Sequence, residues 1–138
     1  MNNAARQKDT EKLAEKVTAI SSMTGEYIVL VLGGKMVYEN SEEFSRALEA
    51  KLRGKACYIV DVDQLERLDS TGFGVLITFA RKVAAMEGQI GFVASNEFHR
   101  DLFIIAKFDH VFPIADSREQ VWQMIKDGFQ PQFALTQY

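Results

Sequence analysis

Between Ala56 and Val62 the chain reads Ala-Cys-Tyr-Ile-Val-Asp-Val, a nearly unbroken apolar, β-branched run in which Asp61 carries the only charge. A strand with one wet face alternates apolar and polar side chains. A continuous run instead needs cover on both faces, as central strands have in sheets flanked by helices. The element that follows supports this, because Phe73, Leu76, Ile77, Phe79, Ala80, Val83 and Ala84 form a broad helical stripe over 70–87, with Glu87-Gly88 as its stop.

The rest of the chain can be read outward from this pair. Weak alternation over 16–22, turn residues Thr24-Gly25-Glu26 and the apolar run from Tyr27 to Leu32 predict an opening hairpin, its second strand ending at Gly33-Gly34. Phe44, Leu48 and Leu52 recur at four-residue spacing and predict a helix over 40–52, capped by Asn40 or Ser41. Further on, the patterns predict a buried strand over 89–94, a helix over 97–107, a brief strand over 111–114 and a closing helix over 117–129. Strands that alternate with helices after a hairpin give an α/β sandwich on a mixed sheet of four to five strands, with about four helices. The sheet is antiparallel at the hairpin and parallel thereafter.

Bulk properties narrow the class. A chain of 138 residues suits one domain whose core needs no disulfide or metal, and the single Cys57 can form no internal disulfide. Residues 1–14 read as a mobile arm or frayed helix, 15–128 as the domain and 129–138 as a tail. No apolar stretch approaches the roughly 20 residues of a membrane span, and the polar N-terminus lacks an apolar signal core; a cytoplasmic protein is expected. A net charge of −3 with interspersed signs gives no basic stripe for nucleic acid, so the expected partner is a protein.

Most candidate chemistry fails on composition or spacing. Asp61, Asp63 and Asp69 could suggest a metal-assisted phosphoacceptor, but the first long strand ends in Gly33-Gly34-Lys35 where such a site needs an acidic pair. Gly72-Phe73-Gly74 lacks both the third glycine of a dinucleotide loop and the lysine of a P-loop. His99 and His110 belong to no triad and read as solvated or locally bonded, Cys57 reads as core, and Trp122 packs with Val121, Met124 and Ile125. No catalytic residue, metal ligand or cofactor is expected.

What remains is Asp69-Ser70-Thr71-Gly72 at the strand-to-helix junction. Two hydroxyls and a carboxylate meet at a helix N-terminus, where unpaired N–H groups and the helix dipole favour a negative charge such as a phosphate. The plainer alternative is that one of these residues simply caps the helix. Thr71-Gly72 would let the backbone turn tightly while the missing side chain leaves the surface open to a partner. Ser70, Thr71, Phe73 and Gly74 would then form an exposed patch.

The run from Tyr58 to Leu76, with Asp69-Ser70-Thr71-Gly72 followed by Phe73-Gly74-Val75, closely resembles the STAS family and within it the bacterial anti-sigma factor antagonists. Leu102-Phe103 with Phe108, Val111 and Phe112 extends the resemblance, which covers residues 16–126. The resemblance implies a domain that binds a GHKL-type serine kinase anti-sigma factor and lets go once phosphorylated. It implies Ser70 as the phosphoacceptor with Thr71 as a secondary one, Asp69 as a residue that positions the hydroxyl, and a PP2C-like phosphatase as the restoring enzyme. Asp69, Ser70, Thr71, Gly72, Phe73, Gly74 and Lys35 are the implied partner surface. One departure stands out: family antagonists usually carry Gly-Glu-apolar-Asp after the second strand, and this chain has Gly34-Lys35-Met36-Val37. The alternatives are a constitutive STAS adaptor of the stressosome or transport-associated kind, and a small nucleotide-binding or enzymatic domain at the Ser70–Gly74 junction.

Overall fold

A computed structural model describes residues 26–132 together with the backbone of the strand Thr18–Ser21. The expected arm over 1–14, the Thr24-Gly25 part of the first turn and the tail beyond 132 lie outside the described residues. Five strands, β1 (Thr18–Ser21), β2 (Ile28–Met36), β3 (Cys57–Leu68), β4 (Gln89–Val93) and β5 (Ile114–Ala115), lie in the sheet in chain order. β1 runs antiparallel to β2, with Thr18 opposite Val31 and Ser21 opposite Ile28; every later pair is parallel. The helices are α1 (Ser41–Glu49), α2 (Ser70–Ala85), α3 (Glu97–Ile105) and α4 (Arg118–Lys126).

Right-handed crossovers between strands laid down in chain order put their helices on one face. Phe44 and Leu48 of α1, Leu76, Phe79 and Val83 of α2, and Phe103 of α3 accordingly share one core with Leu30, Tyr58, Val60 and Val62. Val121 and Ile125 of α4 cover the opposite face above Ile59 and Val93. β3 is therefore buried on both sides, as its composition requires. Asp61 lies toward α4, where Arg118 Nη2 approaches its Oδ2 at 3.4 Å. On the other face, Phe108 packs against Phe73, Phe92, Phe103 and Phe112, with its ring centroid 4.9 Å from that of Phe103. Trp122 packs as expected, its ring 5.1 Å from that of Tyr27.

Several expected boundaries are corrected. Gly33-Gly34 does not end β2, which continues to Met36, and β3 does not stop at Val62 but runs to Leu68. The two strands stay paired through two register shifts, with Gly33 opposite Gln64, Lys35 opposite Arg67 and Met36 opposite Leu68. Extra residues in β3, Glu66 among them, break the alternation that a regular strand would show. Asn40 holds the position before α1 but does not cap it: its Nδ2 donates back to the Lys35 carbonyl at 2.9 Å, and Ser41 Oγ donates to the Tyr38 carbonyl. The last strand lies at Ile114–Ala115, later than expected, because Phe108–His110 forms a single 3-10 turn and Val111 follows it. α1 and α4 are each shorter than their periodicity suggests. Among the described residues no helix is long and apolar enough to cross a membrane.

Candidate functional site

The C-terminal halves of β2 and β3 carry the chain to the start of α2. Ser70 is the first residue of that helix and is exposed; Thr71 is half-buried. Asp69 is the cap. Its Oδ1 accepts from the Gly72 N–H at 2.9 Å, while its Oδ2 accepts from the Tyr38 N–H at 3.1 Å, 31 residues away. The resemblance gives this carboxylate the task of positioning the Ser70 hydroxyl; the structure places it on backbone amides, where it fixes the chain that presents Ser70. The Gly72 amide above all, then those of Tyr38 and Thr71 and the nearby Arg67 charge, hold the Asp69 carboxyl below the usual carboxylate range. The donors that would offset a phosphate's charge are thus already engaged by a carboxylate, which leaves less of the helix terminus for an incoming anion than the junction alone suggests.

Gly72 is buried, which corrects the reading that its missing side chain opens the surface. A Cβ there would sit 2.2 Å from the Met36 carbonyl oxygen and 2.7 Å from Leu68 Cδ1, so glycine is required for the helix to start against the end of β2. Phe73 turns inward, its ring 5.1 Å from that of Phe103, so only part of it reaches the surface. Gly74 is exposed, and a Cβ there would meet nothing within 4 Å. The exposed part of the expected patch is therefore Ser70 and Gly74, with Thr71 beside them. It borders an open groove of about 560 Å³ between α1 and α2, lined by Ser41, Ser45 and Arg46 on one side and Thr71, Gly74 and Thr78 on the other. Because nothing crowds it, Gly74→Ala is expected to raise stability by about 0.5–1 kcal/mol, the ordinary gain of alanine over glycine inside a helix. A higher urea midpoint with an unchanged slope would show this.

Lys35 is exposed and sits opposite Arg67 in the ladder, so two cations stand side by side at the end of the β2–β3 pair. Two residues that sequence reasoning missed complete the site. Tyr38 is 71% exposed, and its backbone is held by Asp69; nothing local in the sequence marks a contact made across 31 residues. Asp63, discarded as a metal ligand, organises the neighbouring loop instead, accepting from the Ser95 and Asn96 amides at 2.8 and 3.1 Å and from Ser95 Oγ at 2.7 Å. Among the described residues no group of His, Cys, Asp and Glu could hold a metal ion.

Of the two expectations for His99, solvated or locally bonded, burial rules out the first, and its buried Nδ1 has no hydrogen-bond partner among the described residues. The residue is 2% exposed in the first turn of α3, and burial pushes its pKa below the ordinary histidine value, opposed by the Asp63 charge. The folded state therefore favours the neutral ring. Its contribution is complete above the unfolded pKa of about 6.5 and is lost as pH falls from there toward the lower folded value, with a slope of at most about 1.4 kcal/mol per pH unit. Asp69 acts in a separate window, since its contribution fades only below about pH 4. Urea midpoints from pH 7.5 to 5 should fall, and His99→Gln should flatten that decline; an equal decline in the variant would assign it elsewhere. Cys57 is half-buried, and burial pushes its thiol up to about 11, consistent with a core residue rather than a nucleophile.

A STAS domain model matches residues 17–121. BtrV of Bordetella bronchiseptica, which bears the name of an anti-sigma factor antagonist, is 26% identical over 93 residues, spanning 67% of this chain and 80% of BtrV. The crystal structure of a Thermotoga maritima protein named in the same way superposes with a TM-score of 0.67 at 14% identity, covering 82% of this chain and 97% of that one. The antagonist SpoIIAA in its unphosphorylated form superposes with a TM-score of 0.51 at 19% identity, covering 82% of this chain and 99% of that one. The family's sequence signature and its fold thus coincide over the same stretch, and the chain belongs to the STAS domain family.

Proposed function

We propose that this chain is an anti-sigma factor antagonist that works as a phosphorylation-switched protein-binding domain in the cytoplasm. With Ser70 unmodified it binds a GHKL-type serine kinase anti-sigma factor. Modification of Ser70 releases the partner, and a PP2C-like phosphatase restores the free hydroxyl. The observation that carries this reading is the setting of Ser70, an exposed hydroxyl at the first position of α2, on a backbone fixed by the Asp69 cap and the buried Gly72. A kinase can reach the hydroxyl, and the surrounding chain need not move to present it. The names carried by BtrV and SpoIIAA point the same way.

In the modification step Ser70 Oγ attacks the γ-phosphorus of ATP, the bond to the β-phosphate oxygen breaks, ADP leaves and the hydroxyl proton passes to a base on the kinase. The product carries about 1.5–2 additional negative charges, enough to spoil docking against an acidic or apolar surface. Thr71 is the secondary acceptor, with its side chain less accessible. The decisive experiment incubates the protein with ATP and a cognate GHKL-type serine kinase, then maps phosphate by mass spectrometry. Phosphate on Ser70, absent from Ser70→Ala, is the expected result; an unmodified Ser70 and Thr71 would overturn the reading.

A second reading, a constitutive STAS adaptor, is favoured by one observation. Lys35 stands where an antagonist of the usual pattern carries a glutamate and Val37 where it carries an aspartate, and Arg67 lies opposite Lys35 in the ladder, so a partner matched to those acids would meet the wrong charge here. A stable complex with a non-kinase protein, insensitive to substitution at Ser70, would select it.

A further inference from the structure

Asp69 uses its two carboxylate oxygens in two directions. Oδ1 serves its own helix through Gly72, whereas Oδ2 reaches across to the N–H of Tyr38. That amide opens the single turn Tyr38–Asn40 between β2 and α1. The turn's other bonds are local: Asn40 N–H to the Val37 carbonyl, Asn40 Nδ2 to the Lys35 carbonyl, and Ser41 Oγ to the Tyr38 carbonyl. The carboxylate is what ties this turn to the junction that presents Ser70. The Tyr38 ring meanwhile stands largely in water, although tyrosine is a residue type that anchors protein interfaces.

We propose that Asp69 is a movable clasp through which a phosphate on Ser70 frees the Tyr38 turn, so that modification alters the Tyr38 surface as well as Ser70. The inference rests on the function proposed above and names how its site is regulated. A phosphate on Ser70 stands one residue from a carboxylate kept ionised by its amide partners, and the two anions repel. The phosphate oxygens are also strong acceptors that compete for the same amides of Thr71 and Gly72 at the start of α2. One planar group makes both of Asp69's bonds, so a carboxylate that swings away from Gly72 also leaves Tyr38. The turn keeps its local bonds but loses its tie to β3 and α2. A partner resting on both Ser70 and Tyr38 would therefore lose two contacts to one modification.

The test installs phosphoserine at position 70 during translation, so it requires no kinase, and follows backbone amides by NMR. Tyr38 exchange with solvent deuterium should speed up roughly tenfold or more relative to the unmodified protein, while amides of β3 keep their protection. Asp69→Ala should reproduce the fast Tyr38 exchange without phosphate, because it leaves both amides without the carboxylate that accepts from them. Unchanged Tyr38 exchange in the phosphorylated protein would overturn the clasp, as would acceleration spread equally over β3. A kinase that leaves Ser70 unmodified would instead sink the proposed function, so the two failures are told apart.

Discussion

Gly72→Ala is expected to lower the unfolding free energy by about 3 kcal/mol and the thermal midpoint by on the order of 10 °C. The added methyl would lie 2.2 Å from the Met36 carbonyl oxygen, and neither side has an easy retreat. Met36 is locked in the ladder opposite Leu68, and its carbonyl also accepts from the Asp69 N–H at 3.4 Å. On the helix side, Gly72 is pinned by its own bond to Asp69 Oδ1. Relief requires α2 to back away from the end of β2, which would break the cap and displace Ser70. The contrast with Gly74 two residues later is the useful control, since there the same substitution meets open space and should stabilise. Urea denaturation of both variants decides the matter. A Gly72→Ala protein within about 0.5 kcal/mol of the parent would mean that the helix start can slide at little cost.

The pair shows where a sequence is legible and where it is not. The run Ala56–Val62 could be read because burial on both faces leaves a compositional mark that depends on no partner's identity. Its continuation to Leu68 could not, because the stretch projects past the end of β4 and carries Asp63, Gln64, Glu66 and Arg67 on irregular pairing. Gly33-Gly34 looked like a stop for a similar reason: glycine signals a break in a chain alone, but here it lies within a shifted ladder. At the C-terminal end of α2 the stop was legible, yet the left-handed residue is Glu87, with φ of 61°, and not the glycine beside it.

The candidate site divides along the same line. Residue type and position were enough to place Asp69 and Ser70 at the mouth of α2, since capping is local chemistry. The second half of Asp69's work, its bond to Tyr38, depends on β2 lying beside β3 and has no local signal. His99 was misjudged for the same reason. Its burial follows from how α3 sits on the sheet, with Asp63 on β3 holding the preceding Ser95-Asn96 loop from 32 and 33 residues away. Periodicity identifies faces, and only the assembled topology shows which polar groups end up between them.

Under the proposed function, phosphate on Ser70 is expected to weaken binding to a GHKL-type kinase more than a hundredfold, a difference of about 3 kcal/mol. Two contributions act together: a new charge at an exposed position, and the loss of the Asp69 tie that holds Tyr38 in place. Fold stability should fall by no more than the cost of a helix cap, about 0.5–2 kcal/mol, because Ser70 projects from the surface and the buried packing around Gly72 and Leu68 stays in place. Ser70→Ala should bind within a few-fold of the parent and no longer respond to kinase and ATP. Ser70→Asp should fall between, since one carboxylate carries less charge than a phosphate and has fewer acceptor oxygens. Calorimetric titration of the four forms into the kinase, each with its own thermal midpoint, separates switching from unfolding. Equal affinities for the phosphorylated and unmodified forms, with both proteins folded, would remove Ser70 from control of binding and leave the constitutive adaptor as the reading that fits Lys35 and Val37.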